Sequence, residues 1–304
     1  MLGGMRTYSL DDVYETRKRR DSWWTVYFVD PVACRVALPV ANRTRMTPNG
    51  LTVLSLVLGM VSAACFASNQ LIAGAAFFYL SFMIDCVDGK IARLKGTGTP
   101  FGLWLDYVGD RIRVVLCAGG LAYGQYALTG DVRYVVLGAA VAVLDLFRYV
   151  NAPQMKRVRD AIREERQERD PLSEPGTLTD ADTLTDPDAL TDPDPDPDPL
   201  PAREPEDAPL GRGSRPRGFL RLFRRLNRFL ARHRVRSHLV SGIEFHAAVF
   251  VIAPLAGAWA LIPLAALSGL LLLANEVFLV YRMWLFARRH GAGSPQESRE
   301  HVLV

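Results

Sequence analysis

Residues 51–80 read LTVLSLVLGMVSAACFASNQLIAGAAFFYL, two apolar runs parted by Ser68-Asn69-Gln70. Each run approaches the roughly 20 residues that a helix needs to cross a bilayer, and so short a polar break permits only an antiparallel turn. The stretch predicts a pair of membrane helices, Leu51 to Ala67 and Leu71 toward Ile91. Outward from this pair, a third apolar run covers Phe101 to Tyr126 and a fourth Tyr134 to Val150, joined by Thr129-Gly130-Asp131. Ile243 to Leu285 is too long for one crossing, and Pro254-Leu255-Ala256-Gly257 and Ile262-Pro263 invite its division into two helices. The expected fold class is all-α: a polytopic membrane protein with six transmembrane helices and a cytoplasmic active-site cluster.

Basic residues set the orientation. Arg17 to Arg20, Arg43 and Arg45 precede the first helix; Lys90, Arg93 and Lys95 end the second; Lys156, Arg157 and Arg159 follow the fourth; Arg282, Arg288 and Arg289 close the sixth. Six crossings put all of these on one side, which the positive-inside tendency makes cytoplasmic. A multi-pass protein of the cell membrane is expected, with both termini in the cytoplasm. The opening MLGGMRTYSLDDVYETRKRR is polar and of mixed charge, so no cleaved secretion signal is expected.

The whole chain, 304 residues with a net charge of +4, is 49% hydrophobic, but its charges are segregated, which excludes a single water-soluble core. Acids crowd between Asp160 and Asp207, where LTDADTLTDPDALTDPDPDPDPLP lacks the apolar content to fold and reads as disordered. Arginines crowd between Arg212 and Arg236, interleaved with Leu222, Phe223, Leu226, Phe229 and Leu230 at near-helical spacing. That pattern favours anionic membrane lipid as a partner, and no nucleic acid is expected. The four cysteines lie too far apart for metal-pair spacing and read as buried hydrophobes.

The organisation follows: 1–46, a cytoplasmic N-terminal region; 47–157, four helices and the catalytic segment; 158–210, the disordered acidic insert; 211–240, the basic amphipathic segment; 241–289, two further helices; 290–304, a cytoplasmic tail. Within the first, Trp23 to Val40 reads either as an interfacial helix or as a packed non-helical arm. Thr47-Pro48 is a start signal, the threonine capping and the proline suiting the first helical position.

The chemistry lies in DCVDGKIARLKGTGTPFGLWLDYVGD, residues 85–110. Asp85 and Asp88 are three apart at the end of the second helix; Asp106 and Asp110 are four apart near the start of the third, so each pair shares a face. Antiparallel packing gathers all four. Carboxylates beside hydrocarbon cannot stay ionised and unpaired, and divalent cations resolve the conflict. Oxygen ligands suit Mg2+ or Mn2+, and a cluster of this size has room for two ions bridging a pyrophosphate. Gly89 and Gly102 admit close approach, and Arg93 is a donor for phosphate oxygens. Arg111 and Arg113, beside the carboxylates, and Arg148, Lys156, Arg157 and Arg282, toward the same membrane side, are candidates to hold a phosphate on an acceptor. Of the polar residues in apolar runs, Asp145, Glu244 and Glu276 read as buried partners for arginines, and His246 as structural.

The segment Asp-x2-Asp-Gly-x2-Ala-Arg-x8-Gly-x3-Asp-x3-Asp, here Asp85, Asp88, Gly89, Ala92, Arg93, Gly102, Asp106 and Asp110, resembles the signature of the CDP-alcohol phosphatidyltransferase family at every fixed position. The resemblance implies that Asp85, Asp88, Asp106 and Asp110 ligate the ions and that Asp110 also serves as the catalytic base. Gly89, Ala92 and Arg93 would line the CDP pocket, with Asn49 and Thr52 near the nucleotide. The implied reaction is metal-dependent transfer of a phosphatidyl group from CDP-diacylglycerol to a polar alcohol or alcohol phosphate, with release of CMP, in phospholipid biosynthesis. A CDP-linked small alcohol as donor, or a nonenzymatic membrane scaffold on the same core, are the alternatives. A homodimer is also expected from the resemblance.

Overall fold

The computed structural model describes residues 7–18, 20–169, 234 and 241–290. The acidic insert from residue 170, the basic segment apart from Arg234, and the tail beyond 290 lie outside the described residues.

Every element of the described residues is helical. They are α1 (Leu10–Glu15), α2 (Asp30–Arg43), α3 (Pro48–Ala67), α4 (Leu71–Lys95), α5 (Pro100–Thr129) and α6 (Arg133–Arg169). After the insert come α7 (Gly242–Ala256) and α8 (Ala258–His290). Residues 25–43 are helical, not a non-helical arm: a π turn, Thr25–Val29, leads directly into α2. α6 runs beyond residue 157 to Arg169 with Pro153 inside it.

Local chemistry fixes the helix ends that position the site. Thr47 Oγ1 accepts from the Gly50 amide at 3.1 Å with Pro48 in the first turn, which starts α3. Gly96, in left-handed backbone at φ 62°, stops α4. Thr99 then repeats the device, accepting from the Gly102 amide at 3.0 Å with Pro100 behind it. These signals turn the chain between the two halves of the aspartate segment.

α3 packs against both α4 and α5 with almost no side-chain padding. A Cβ on Gly124 would stand 2.1 Å from the Phe66 carbonyl oxygen, and one on Gly120 2.4 Å from that of Ala63. The Phe66 ring fills the space at Gly74, whose carbonyl accepts from Ser62 Oγ at 2.8 Å. Small residues and interhelical hydrogen bonds replace the hydrophobic drive that lipid cannot supply. Beside α4, α2 is fastened by a buried ion pair, Lys90 Nζ to Asp30 Oδ1 at 2.7 Å, and by Tyr79 Oη donating to the Phe28 carbonyl at 2.7 Å.

Among the described residues, four helices are long and apolar enough to cross a membrane: Pro48–Ala67, Leu71–Lys95, Arg133–Ile162 and Ala258–Arg288. The protein is thus an all-α, multi-pass membrane protein. α5 has the length, but Asp106, Asp110, Arg111 and Arg113 charge its first half. α7 rises about 22 Å, short of the ~30 Å hydrocarbon core. The division of the long C-terminal run falls at Gly257, at φ 106°; Pro263, the other breaker read from the sequence, lies inside α8.

Candidate active site

Asp85, Asp88 and Asp106 each offer a carboxylate oxygen within 4.8 Å of the others, two from the end of α4 and one from the start of α5. α3 supports this triad from below with hydroxyls. Thr52 Oγ1 donates to Asp88 Oδ2 at 2.6 Å, and Ser55 Oγ to Asp85 Oδ1 at 3.0 Å. Ser81 Oγ in turn donates to the Ser55 carbonyl at 2.6 Å, tying α4 to α3 beneath the carboxylates. Three hard anionic oxygens converging from two helices suit one cation of the magnesium or manganese class. The residues present therefore fit the metal that the aspartate spacing implies.

Asp110 is placed differently. It is not among the converging carboxylates; its Oδ1 is paired with Arg113 Nη2, and its Oδ2 lies 3.6 Å from Arg111 Nη2. Arg113 is buried, and its Nη1 also reaches Ser55 Oγ at 3.2 Å, Ser81 Oγ at 3.1 Å and Asp85 Oδ1 at 3.4 Å. Arg111 faces the other way. It pairs with Asp145 and stacks 3.6 Å above the Tyr149 ring, while Asp145 also meets His246 Nε2 at 2.7 Å. Both arginines thus pair with carboxylates, Arg113 beside α3 and α4 and Arg111 beside α6.

The remaining sequence-derived residues surround the triad. Asn49 leans on the bare backbone of Gly102, where a Cβ would come 2.6 Å from its Oδ1. Gly89 and Ala92 are half-buried on α4. Arg93 is exposed, with its guanidinium over Gly89 and its Nε donating to the Thr16 carbonyl at 2.8 Å. Among the acids in apolar runs, Asp145 and Glu276 do partner arginines, the latter with Arg148 at 3.6 Å. Glu244 instead accepts from the amides of Trp23 and Ser241, at 3.1 and 2.9 Å. Sequence reasoning missed Ser55 and Ser81. The signal was present on α3, where Thr52, Ser55, Gly59 and Ser62 recur at helical spacing as a buried polar stripe.

Membrane helices here present an aspartate triad beside a capped helix turn. The family model for CDP-alcohol phosphatidyltransferase matches residues 45–164. An archaetidylinositol phosphate synthase of Methanothermobacter thermautotrophicus is 34% identical over 105 residues, 34% of this chain and 50% of that protein. A phosphatidylinositol phosphate synthase of Mycobacterium tuberculosis is 35% identical over 82 residues, 26% of this chain and 38% of its own. A CDP-diacylglycerol–serine O-phosphatidyltransferase of Helicobacter pylori is 29% identical over 105 residues, covering 32% and 44%. The matches span half or less of these relatives' lengths.

Proposed function

We propose that the protein transfers a phosphatidyl group from CDP-diacylglycerol to a polar alcohol or alcohol phosphate and releases CMP, as a step of phospholipid biosynthesis. The observation that carries this is the convergence of Asp85, Asp88 and Asp106 inside the family-matched segment. The relatives' names carry inositol phosphate and serine headgroups, so an alcohol phosphate and a plain alcohol both belong among the acceptors to be tried.

In this reading Asp85, Asp88 and Asp106 hold Mg2+ or Mn2+. The bound cation supplies charge neutralisation for the pyrophosphate and polarises the phosphorus under attack. Thr52 and Ser55 fix the rotamers of Asp88 and Asp85, so the ligand oxygens need no reorganisation on loading. Gly89 and Ala92 leave room for the nucleotide against α4, Asn49 approaches it from α3, and Arg93 offers its fork to phosphate oxygens. Asp110 is the base for the acceptor hydroxyl: Arg113 occupies Oδ1, and Oδ2, with the more distant Arg111 Nη2 at 3.6 Å, takes the proton. Alignment of the hydroxyl with the scissile bond then converts binding into rate. The chain sits in the cell membrane with α5 and α7 completing six crossings, the bilayer thinning to match the shorter α7, and the basic helix ends support a cytoplasmic side for the site and both termini. Anionic lipid contacts the arginine-rich segment, and two copies associate as a homodimer.

Magnesium- or manganese-dependent CMP release from CDP-diacylglycerol with a pooled set of acceptors tests this. Release that needs an acceptor and is lost in Asp88→Asn and Asp110→Asn is the expected result. Release only from a CDP-linked small alcohol would replace the donor, and none from either would leave the scaffold.

A further inference from the structure

The metal-ligand reading groups four carboxylates, yet one of the groups they enclose is a cation that belongs to the chain. Arg113 is buried between α3, α4 and α5, its Nη1 within hydrogen-bond reach of Ser55, Ser81 and Asp85 and its Nη2 on Asp110. The space for it is reserved by α3: a Cβ on Gly59 would stand 2.7 Å from Arg113 Cγ and 2.9 Å from Cδ. Two serines, a glycine and two aspartates on three helices thus form a cradle for one guanidinium. A cation buried this far from water persists only where anions and hydrogen bonds replace its hydration, and Asp85 and Asp110 are the anions.

Resting on the metal-dependent reading above, we infer that Arg113 is the resident counter-ion of this centre, so that in the absence of the CDP donor the site holds a single divalent ion, at Asp85, Asp88 and Asp106. Arg113 pairs with Asp110 and lies 3.4 Å from Asp85, so it already supplies to these carboxylates positive charge that a second divalent ion would bring. A second divalent ion near Asp110 would meet the fixed charge of Arg113 at contact distance from the same carboxylate. Arg113 is accordingly a positioning residue, setting how many ions the aspartates accept and holding Asp110 apart from the triad. The two-ion occupancy expected from the size of the cluster then requires a further source of negative charge, which the donor's pyrophosphate provides.

The test counts Mn2+ bound to the purified full-length protein in detergent, without any CDP compound, from the electron paramagnetic resonance signal of the free ion. One Mn2+ per chain is expected for the wild type. Asp110→Asn is expected to keep that single ion with affinity changed less than about threefold, because its carboxylate answers Arg113 and not the metal. Arg113→Gln, which keeps hydrogen-bond donors and removes the charge, is expected to bind a second Mn2+, and Arg113→Lys to restore one. Two ions in the donor-free wild type, or a tenfold loss of affinity in Asp110→Asn, overturns the inference while leaving the transferase reading standing. An unchanged count in folded Arg113→Gln also overturns it. No bound Mn2+ in the wild type removes both, because the triad itself then fails as a metal site. If Arg113→Gln does not fold, the wild-type count and Asp110→Asn decide the matter.

Discussion

The bundle of α3, α4 and α5 and the pair of α6 and α8 solve the same problem, helices in lipid, in different ways. In the first, backbones touch: Gly74, Gly120 and Gly124 each lie where a methyl group would strike a neighbouring ring or carbonyl. In the second, 11% of the apolar part of α6 is buried within the protein, against 39% for α4. Here the helices stand apart around an apolar groove of about 590 Å3, lined by Leu137, Leu144, Ile262, Ala265 and Leu273 among others, and are linked by charged pairs such as Arg148 with Glu276. The difference shows where geometric tolerance is small. Carboxylates from two helices must converge within a few ångströms, and only direct backbone contact fixes that register.

The sharpest way to test this contrast is at the triad. Asp88→Asn should reduce CMP release by on the order of 10^3-fold, while the melting temperature in detergent holds, since Thr52 can hydrogen-bond an amide as well as a carboxylate. A parallel substitution in the looser half, Glu276→Gln, should leave CMP release within about threefold. Equal losses at the two positions would erase the distinction between the regions.

Next in size is the link between the halves. Asp145 is fully buried and answers both Arg111 and His246, so Asp145→Ala strands a guanidinium and should cost about 3 kcal/mol of stability. Urea or thermal unfolding in a single detergent measures it. Asp145→Asn, which retains acceptor oxygen, should recover part of the loss.

Backbone contact within the first region comes third. Gly124→Val should destabilise by about 2 kcal/mol, because its Cβ would meet the Phe66 carbonyl and the backbone cannot retreat. Gly119→Ala, whose Cβ would have open space, should be neutral on the same helix. Similar melting points for the two variants would mean that α3 and α5 are not as close as described.

The smallest effect lies in the turn between the regions. Hydrogen bonds from the Arg133 side chain and backbone hold the Asp131 carboxyl below the usual carboxylate range. A depressed folded value stabilises above the unfolded one and is lost as pH falls through the folded value. Carboxyl titration by NMR should therefore show Asp131 protonating later than an ordinary aspartate on acidification, and Arg133→Ala should bring it back toward the ordinary value.

Much of the first region was legible in the sequence, because its instructions are local. Thr47-Pro48, Thr99-Pro100 and Gly96 act within a turn of where they stand, and the paired aspartates need only helical periodicity to share faces. The roles of Arg111 and Arg113 were not legible. Two residues apart on a helix they point about 200° away from each other, so one enters the α3–α4 side and the other the α6–α7 side. Their partners come from distant sequence: Ser55 lies 58 residues before Arg113, and His246 lies 101 after Asp145. The same remoteness hid the function of Glu244, whose carboxylate bonds the amide of Trp23 from 221 residues away.

The Lys90–Asp30 pair bears on what can be cut from the protein. Lys90 stands two residues beyond Asp88, inside the family-matched segment, whereas Asp30 precedes it. A fragment trimmed to residues 45–164 would keep the signature in full and strip a buried ammonium of its carboxylate right behind the aspartate triad. The portable unit of this fold thus begins upstream of its recognisable core, and transplanting the reaction into another scaffold means carrying α2 along with the aspartates.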